Sequence, residues 1–440
     1  MAVGWFGGWA VKGLRGKSFF SVIVGAVAAA LLWARAPFAP RNFWAEDGKL
    51  LFAQAQEGGW VESITSSAGG YFLFLPRVLG TVSTLGPLEN APATMFAMCV
   101  LVSSWFAATI FLTGDRYLDR LWSRVALALV PLLLPIVGFE VIGGLANLHF
   151  VILCPAAAVL VGCQEGKGRR ANDVLLATMA GLTSPLTLSL APLAFLRMWW
   201  DRRTYGTKLP APVVVGWAVG ITVHLAMIFT MANNREFSSD RSISKAGFLF
   251  LERVVSYNLL PFWPRISNAD ATGGIDGELV IRALVGLVVL VLLATTVVVG
   301  AVHHRRRGSK ELAELILVLP IAGAAMFLVA SMLTGSEPRY AVLPAFCIVW
   351  TLLIVSESLR ESERIQPVGR VVAAVIGACL LASVVTHWVP SPLRRTGPTW
   401  VSGLDAAVGK CATNPDGRVE VPILPEGWTI LLDCSDVVDG

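Results

Sequence analysis

The stretch of sequence that decides the fold class is VIRALVGLVVLVLLATTVVVGAVHHRRR, residues 280–307. Residues 280–301 contain a single charged side chain, Arg282, and as a helix they are long enough to cross the roughly 30 Å hydrocarbon core of a bilayer. The basic triplet Arg305-Arg306-Arg307 follows almost at once, which is typical of the cytoplasmic end of a membrane helix. This stretch therefore predicts a transmembrane helix.

The composition of the whole chain agrees with a membrane protein. Of its 440 residues, 55% are hydrophobic and 15% are charged, and the mean hydropathy is +0.67. A soluble domain carries about 25% charged residues, so these charges are too few to cover water-exposed surfaces. Soluble enzymes, disordered chains and small disulfide scaffolds are excluded. The sequence shows no dense basic face with interleaved aromatic residues, which argues against a nucleic-acid partner. We therefore predict an all-α polytopic membrane protein.

Apolar runs predict about eleven transmembrane helices. A spanning helix needs roughly 20 apolar residues, and several of the runs are shorter. Thr183-Ser184-Pro185 interrupts one long run, and because proline removes a helical hydrogen bond, we divide that run into two short helices. The apolar segment 71–87 is interpreted as a re-entrant or half-embedded element outside the count. The predicted spans lie near residues 18–36, 92–113, 125–139, 148–163, 174–187, 188–200, 212–232, 280–301, 312–333, 341–358 and 371–389.

The distribution of basic residues predicts the orientation. With a cytoplasmic N-terminus, as Lys12, Arg15 and Lys17 suggest, about 20 of the 35 Lys and Arg residues fall in short inner loops. About 14 fall in outer segments that are together more than twice as long. This bias predicts an N-in, C-out topology. The first span is interpreted as a retained helix rather than a cleaved signal peptide because Pro37 follows it directly.

Three long segments are predicted on the outer side: residues 37–91, 233–279 and 390–440. Loops of this length in compact proteins are usually functional or disordered, and their aromatic residues and prolines favour order. We divide the chain into a transmembrane domain, 1–389, which includes the first two outer segments, and a small extracytoplasmic C-terminal segment, 390–440.

The C-terminal segment contains Cys411 and Cys434, the two cysteines that lie outside apolar helices. Residues 419–424 and 428–432 lie between them, and their alternating and apolar patterns suggest a small β-hairpin closed by a disulfide. Disulfides form in extracytoplasmic compartments, and such a loop contributes roughly 3–4 kcal/mol to stability. The other five cysteines lie in or at the ends of apolar helices, where packing explains them. We therefore predict a Cys411–Cys434 disulfide.

The first outer segment contains Arg41-Asn42-Phe43-Trp44-Ala45-Glu46-Asp47-Gly48, which places two adjacent carboxylates just beyond the first span. Charged groups are costly near hydrocarbon and tend to face a wet cavity or one another. One interpretation is therefore a functional site. The other is a helix N-cap, in which Asp47 stabilises the first turn of an interfacial helix over 49–56.

Further polar residues are predicted on the same side of the membrane. Each has a simpler explanation. Glu140 could cap a helix, His149 could lie at the membrane interface with its hydrogen bonds formed, and Arg339 could extend its charged group to that interface. Several such residues on one side of the membrane favour an outer site that combines carboxylates with cations. The loops predicted on the other side contain basic residues but few other polar features. The polar residues on the outer side are Arg77, Glu140, Asn147, His149, Arg265 and Arg339.

Transfer of a sugar from a membrane lipid phosphate needs this combination of groups. A carboxylate takes the proton of the acceptor hydroxyl as the new bond forms. Positive charge, or a divalent metal, stabilises the leaving phosphate, and the planar guanidinium of arginine meets phosphate oxygens bidentately. The first outer segment contains no spaced D-x-D, so no metal ligands are assigned, and a divalent metal stays open as a cofactor.

The arrangement resembles the GT-C superfamily of polytopic glycosyltransferases, which use polyprenyl-phosphate sugars on the outer face and carry an acidic pair, or a spaced variant of it, in the first outer loop. Glu46-Asp47 stands at that place. Several short motifs are similar to a narrower group of uncharacterised bacterial GT-C-like proteins. They are Ala45-Glu46-Asp47-Gly48, Gly70-Tyr71, Leu75-Pro76-Arg77, Asn147-Leu148-His149-Phe150, Ser184-Pro185, Arg339-Tyr340 and, at the end, Trp400, Cys411, Pro425, Trp428 and Cys434.

The resemblance implies an enzyme that transfers a hexosyl or pentosyl group from a polyprenyl-phosphate-linked sugar to an envelope lipid or glycan acceptor. The expected location is the outer face of a bacterial plasma membrane, and the absence of an N-x-S/T sequon agrees with it. Glu46 or Asp47 is the expected general base. The expected substrate-binding residues are Arg77, Arg265 and Arg339 for phosphate, and His149 with Glu140 for sugar or acceptor hydroxyls. Tyr71, Asn147 and Tyr340 are further expected substrate-binding residues.

Two other functions stay open on the sequence. A transporter or flippase of a lipid-linked saccharide would place polar residues near the membrane midplane on broken helices, often in repeated halves. Ser184-Pro185 permits a broken helix, and His224 is the most internal ionisable residue. However, the sequence shows no internal repeat, and its charges cluster at the predicted outer edge. A non-catalytic subunit for envelope assembly would retain the fold without the reaction.

Overall fold

The computed structural model describes residues 14–66, 71–138, 140–162, 167–206, 209–230, 243–260, 277–334, 337–361 and 397–439, with scattered positions between 367 and 388. Within these residues the protein is a bundle of helices with a two-stranded sheet near the C-terminus. In chain order the elements are α1 (Leu14–Arg35), α2 (Ala53–Thr65), α3 (Phe74–Ser83), α4 (Ala91–Gly114), α5 (Leu121–Leu133), α6 (Leu148–Val151), α7 (Leu153–Val161), α8 (Lys167–Thr183), α9 (Ala191–Tyr205), α10 (Pro212–Thr230), α11 (Ile243–Leu249), α12 (Tyr257–Leu259), α13 (Gly277–Arg306), α14 (Lys310–Thr334), α15 (Val342–Glu361), α16 (Trp400–Cys411), β1 (Arg418–Ile423), β2 (Trp428–Asp433) and α17 (Cys434–Asp439).

Seven helical segments within the described residues are long and apolar enough to cross a membrane, as expected of an integral membrane protein. Each overlaps one predicted span. Leu148–Val161 is apolar but shorter, and the predicted span 371–389 is described only at scattered positions. The count of about eleven spans and the N-in orientation stay predictions. The seven segments are Gly16–Arg35, Leu88–Gly114, Leu121–Gly138, Pro212–Thr230, Val280–Arg306, Lys310–Met332 and Pro338–Arg360.

The predicted break at Ser184-Pro185 is confirmed, but the two flanking helices contain more polar residues than expected. Ser184 is extended, and a 3-10 turn over Pro185–Leu190 separates α8 from α9. α8 begins at Lys167, well before the predicted residue 174, so its first turns are polar. α9 continues through the buried pair Arg197 and Asp201, whose charged atoms lie 2.9 Å apart. A search for apolar runs predicts such a helix as too short. An arginine and an aspartate that pair with each other can lie inside the bundle although both are charged.

The two ends of the bundle can be distinguished by their contacts. Lys17 near the start of α1 forms an ion pair with Asp115, which directly follows α4. The two helices are therefore antiparallel, and these residues mark one end of the bundle, called here the basic end. Arg116 pairs with Glu311 at the same end, at 3.0 Å. The opposite end, where α1 finishes at Arg35, is called the site end.

The first outer segment is folded over the site end. A π-helical stretch, Asp47–Phe52, continues into α2, so the predicted helix over 49–56 is part of a longer helical region. Gly59 bends this region with φ of 71°, a conformation that glycine adopts without steric cost. The apolar segment 71–87 contains α3. These elements form a cover over the bundle.

The C-terminal segment packs on the first outer segment. Strands β1 and β2 pair antiparallel, and the Cys411–Cys434 disulfide joins the end of α16 to the residue after β2, so the predicted disulfide-closed hairpin is confirmed. The indole Nε1 of Trp400 donates to the carbonyl of Leu88 at 2.8 Å. Its ring meets Phe43 edge-on at 4.8 Å. The hairpin is thereby held beside residues 43–48.

Candidate functional site

The acidic pair follows a turn that the C-terminal hairpin holds in place. Ala45 has φ of 39°, a left-handed conformation that is unfavourable for a residue with a side chain. Its backbone N–H donates to the carbonyl of Leu424, and the N–H of Leu424 donates to the carbonyl of Phe43 at 3.2 Å. Strained backbone persists only where surrounding contacts fix it. The hairpin supplies such contacts directly before Glu46 and Asp47.

Gly48, directly after the acidic pair, packs against both strands of the hairpin. A Cβ at Gly48 would lie 2.7 Å from Cδ1 of Ile430 and 2.9 Å from Cδ1 of Ile423. Real Cβ atoms do not approach other carbons so closely, so only glycine fits without a shift. The two strands therefore pack directly against the helical turn that carries the carboxylates.

We expect Gly48→Ala to separate the hairpin from the acidic turn. The added methyl would push aside the side-chain ends of Ile423 and Ile430, and it would also lie 2.9 Å from Cβ of Phe43, which cannot move without its backbone. Overpacking of this kind costs about 1–3 kcal/mol. Thermal unfolding and limited proteolysis of the C-terminal segment measure the effect. Gly86→Ala is the matched control, because a Cβ at Gly86 meets nothing within 4 Å. Equal protease resistance of the two variants would contradict this account of Gly48.

Asp47 is buried and binds a neighbouring segment. The side chain is 6% exposed, and its Oδ1 accepts a hydrogen bond from the backbone N–H of Ala146 at 2.7 Å. Asp47 is the first residue of the π-helical stretch and not its N-cap, but it lies in the first turn, where a carboxylate stabilises the start of a helix. The N-cap position belongs to Glu46, whose side chain makes no capping hydrogen bond and is half-buried. The two adjacent carboxylates therefore have different environments.

Residues 146–150 form a wall beside Asp47. The carbonyl of Ala146 accepts a hydrogen bond from Nδ1 of His149, so Ala146 links the acidic pair to the imidazole. A neutral imidazole that donates from Nδ1 keeps Nε2 as an acceptor. The ring of Tyr71 lies 5.8 Å from that of His149, and the ring of Phe150 lies 3.8 Å from it. Aromatic surface and a polar nitrogen are thus combined on one wall.

Arg339 supplies positive charge to the same wall. Its Nη1 lies 3.3 Å from Oε2 of Glu140, and its Nη2 pairs with Glu337. The guanidinium carbon lies 5.7 Å from the centre of the Phe150 ring, within the range of a cation–π contact. Arg339 also interacts electrostatically with Glu46. The cation is therefore held by Glu140 and Glu337, and its interaction with Glu46 is the weakest of its charge interactions.

Two more of the predicted residues complete this wall. Nδ2 of Asn147 donates to the carbonyl of Glu140 at 3.2 Å, and the ring of Tyr340 meets Phe150 edge-on at 5.4 Å. The structure thus connects eight predicted site residues, called here the site-end cluster. The cluster consists of Glu46, Asp47, Tyr71, Glu140, Asn147, His149, Arg339 and Tyr340.

Arg77, an expected phosphate contact, has other partners. It is fully buried, its Nη1 donates to the carbonyl of Ser63 at 2.7 Å, and both terminal nitrogens lie 3.1 Å from Oε1 of Gln54. Burial lowers the pKa of Arg77 to about 10, so the guanidinium remains charged at neutral pH. These bonds tie α3 to α2 and give Arg77 a structural role, and its assignment as a phosphate contact stays a prediction. Arg265, the other such residue in the long second outer segment, lies outside the described residues.

Replacement of Arg77 tests this structural role. We expect Arg77→Met to lower stability by about 1.5–3 kcal/mol, because the hydrogen bonds of a charged group are lost and a buried carbonyl loses its donor. Arg77→Lys should recover part of the loss. Thermal unfolding of the purified variants measures both effects. A lysine variant that is as stable as the wild type and yet does not bind its substrate would support the assignment to phosphate.

Arg35 is a candidate that the sequence did not indicate. It is 1% exposed at the end of α1, and Nη1 donates to the carbonyl of Leu132. Within the described residues, its Nε and Nη2 have no hydrogen-bond partner, and its guanidinium carbon lies 5.7 Å from the ring of Trp388. A buried cation without a counter-charge is costly. In the sequence, an arginine at the end of an apolar run looks like an interfacial anchor.

Charged side chains, rather than a preformed metal cage, define the site-end cluster. Among the described residues, no three His, Cys, Asp or Glu side chains come together in a way that could hold a metal ion. A carboxylate of Glu46 or Asp47 can accept a proton, and Arg339 can bind an anion. The aromatic wall offers a surface for a sugar ring.

Comparison with known proteins adds no family to this description. No protein-family model matches the chain, and no curated protein matches it.

Proposed function

We propose that this protein is a membrane glycosyltransferase that transfers a sugar from a polyprenyl-phosphate donor to an envelope lipid or glycan acceptor at the outer face. One observation carries the proposal: a half-buried carboxylate, Glu46, lies beside a buried one, Asp47, on a turn held by the C-terminal hairpin, with Arg339 close enough to interact with Glu46. The GT-C resemblance supports the proposal. The position of the cluster also supports it, because the cluster lies at the end of the bundle that is predicted to face outward.

The reaction needs one proton acceptor and one anion-binding group. The acceptor hydroxyl attacks the anomeric carbon, and a new carbon–oxygen bond forms as the bond to the donor phosphate oxygen breaks. The hydroxyl proton passes to a carboxylate, for which we assign Glu46. The polyprenyl phosphate leaves with the bonding electrons, and Arg339 binds its oxygens through the planar fork of the guanidinium.

The other members of the cluster position these two groups. Asp47 holds the acidic turn against Ala146 through its 2.7 Å hydrogen bond. Glu140 and Glu337 hold Arg339. Tyr71 and His149 offer a ring face and a hydrogen-bonding nitrogen to the sugar or the acceptor. A divalent metal bound together with the donor phosphate would add positive charge at the same place.

Transfer of labelled sugar from a panel of polyprenyl-phosphate donors to membrane lipids and glycans tests the proposal. The purified full chain is reconstituted in lipid nanodiscs and assayed with and without a chelator. Transfer that needs the intact protein is the expected result, and loss with the chelator would assign a metal. Binding of a lipid-linked saccharide without transfer from any donor would overturn the enzyme proposal and favour a transporter or an assembly subunit.

A further inference from the structure

A second region of the molecule combines charge with an opening between helices. At the basic end, far along the bundle from the acidic pair, a cavity of about 360 Å³ lies between α9, α13 and α14. Its charged lining residues are Arg203, Arg305, Lys310 and Glu314. None of them belongs to the site-end cluster. The cavity is therefore a separate feature that the proposed transfer reaction does not use.

The charges of this cavity do not cancel. Arg203 forms an ion pair with Glu314 at 3.3 Å, and Glu314 also accepts a hydrogen bond from the indole of Trp200 at 2.7 Å. Arg305 and Lys310 form no ion pair with any part of the chain that the structure describes. Two cations are thus left at the rim without a compensating carboxylate, and a ligand with negative charge would complement them.

The remaining wall of the cavity is apolar and faces outward. Val298 and Val302 on α13 and Leu317 on α14 line it, and each side chain is about half exposed. Val302 precedes Arg305 by about one helical turn, and Val298 precedes Val302 by another, so the apolar wall extends from the basic rim toward the middle of the membrane. The helix Val280–Arg306 buries little of its surface in the bundle. The cavity therefore opens toward lipid.

We propose that this cavity binds an anionic phospholipid of the leaflet at the basic end. The phosphate and headgroup lie on Arg305 and Lys310, beside Arg203, and the upper part of one acyl chain lies along Val298, Val302 and Leu317. Basic pockets between membrane helices bind anionic headgroups, and burial of an acyl chain against apolar side chains adds to the affinity. The proposal does not depend on the transfer reaction.

Native mass spectrometry of the detergent-solubilised full chain, titrated with phosphatidylglycerol, tests the proposal. We expect Arg305→Ala/Lys310→Ala to weaken binding about tenfold or more. Arg306→Ala/Arg307→Ala is the matched control, because it removes the same charge from exposed neighbours that do not line the cavity. It should bind the lipid nearly as well as the wild type. An equal loss in both variants would show diffuse attraction to a basic surface and would overturn the proposal.

A variant that keeps every charge separates a cavity from a charged surface. Val298→Trp fills the apolar wall at a lipid-exposed position, so the fold should tolerate it, and phosphatidylglycerol should bind several-fold more weakly. Phosphatidylethanolamine should bind the wild type more weakly than phosphatidylglycerol, and glycerol 3-phosphate should not compete. Equal binding of both lipids, full binding by Val298→Trp, or displacement of the lipid by glycerol 3-phosphate would each contradict a site for an anionic phospholipid.

Discussion

Glu46→Gln is expected to reduce sugar transfer by about 100- to 10,000-fold, the range typical for loss of a general base. The side chain of Glu46 makes no capping hydrogen bond, so the turn does not depend on its charge. Glutamine keeps the size and the polar character of glutamate, but it cannot take the acceptor proton. Donor binding should therefore stay close to that of the wild type while turnover falls. Transfer rates and donor affinity measured on the same preparation give both quantities.

Asp47→Asn provides the comparison within the acidic pair. Asparagine retains an oxygen that can accept the hydrogen bond from Ala146, so a positioning role predicts a smaller loss of transfer than at Glu46. Glu89→Gln is the control for removal of a carboxylate, because Glu89 is exposed in the same outer segment and lies outside the site-end cluster. If Asp47→Asn is inactive and Glu46→Gln is active, the base is Asp47. If both variants transfer at the wild-type rate, the proposed reaction is wrong.

The sequence was most informative where a local pattern determines the structure. Apolar runs correspond to all seven of the described helical segments that are long and apolar enough to cross a membrane, because a bilayer needs about 20 apolar residues at each crossing. Proline and the residue before it correctly marked the break after Thr183. Spacing and alternation also predicted the Cys411–Cys434 hairpin. The polar first turns of α8 were missed because they lie at an exposed end of the helix, where hydropathy gives no signal.

The site was harder to predict because its geometry depends on distant parts of the chain. The residue types of the cluster were found in the sequence, but the burial of Asp47 depends on Ala146, almost a hundred residues away. The contact of Gly48 with Ile423 and Ile430 has no local signature, since it joins the two ends of the chain. The sequence does not show the partners of Arg77 for the same reason, since they lie on α2. From the sequence, a buried arginine that binds a glutamine and a carbonyl cannot be distinguished from an arginine that binds a ligand.

Arg339→Gln is expected to lower transfer by about 100- to 1,000-fold, as is typical when one preorganised donor to a developing anion is removed. Arg339 is held by Glu140 at 3.3 Å, by Glu337 and over the ring of Phe150. The two carboxylates fix the guanidinium before the substrate arrives, so little reorganisation is needed when the phosphate leaves. Arg339→Lys should restore only part of the activity, because an ammonium group carries the charge without the planar fork. Steady-state transfer rates at saturating donor measure both variants.

Arg116 is the matched control for Arg339. It has a similar environment, but it lies at the opposite end of the bundle. It pairs with Glu311 at 3.0 Å, and its guanidinium carbon lies 5.4 Å and 5.7 Å from the rings of Tyr117 and Trp200. Arg116→Gln and Arg339→Gln should therefore lose similar amounts of thermal stability, whereas only Arg339→Gln should lose transfer. If the activity of both variants falls in proportion to their stability, Arg339 serves the fold alone. A selective loss at Arg339 with stability matched to Arg116→Gln would show that Arg339 serves the reaction and not the fold alone.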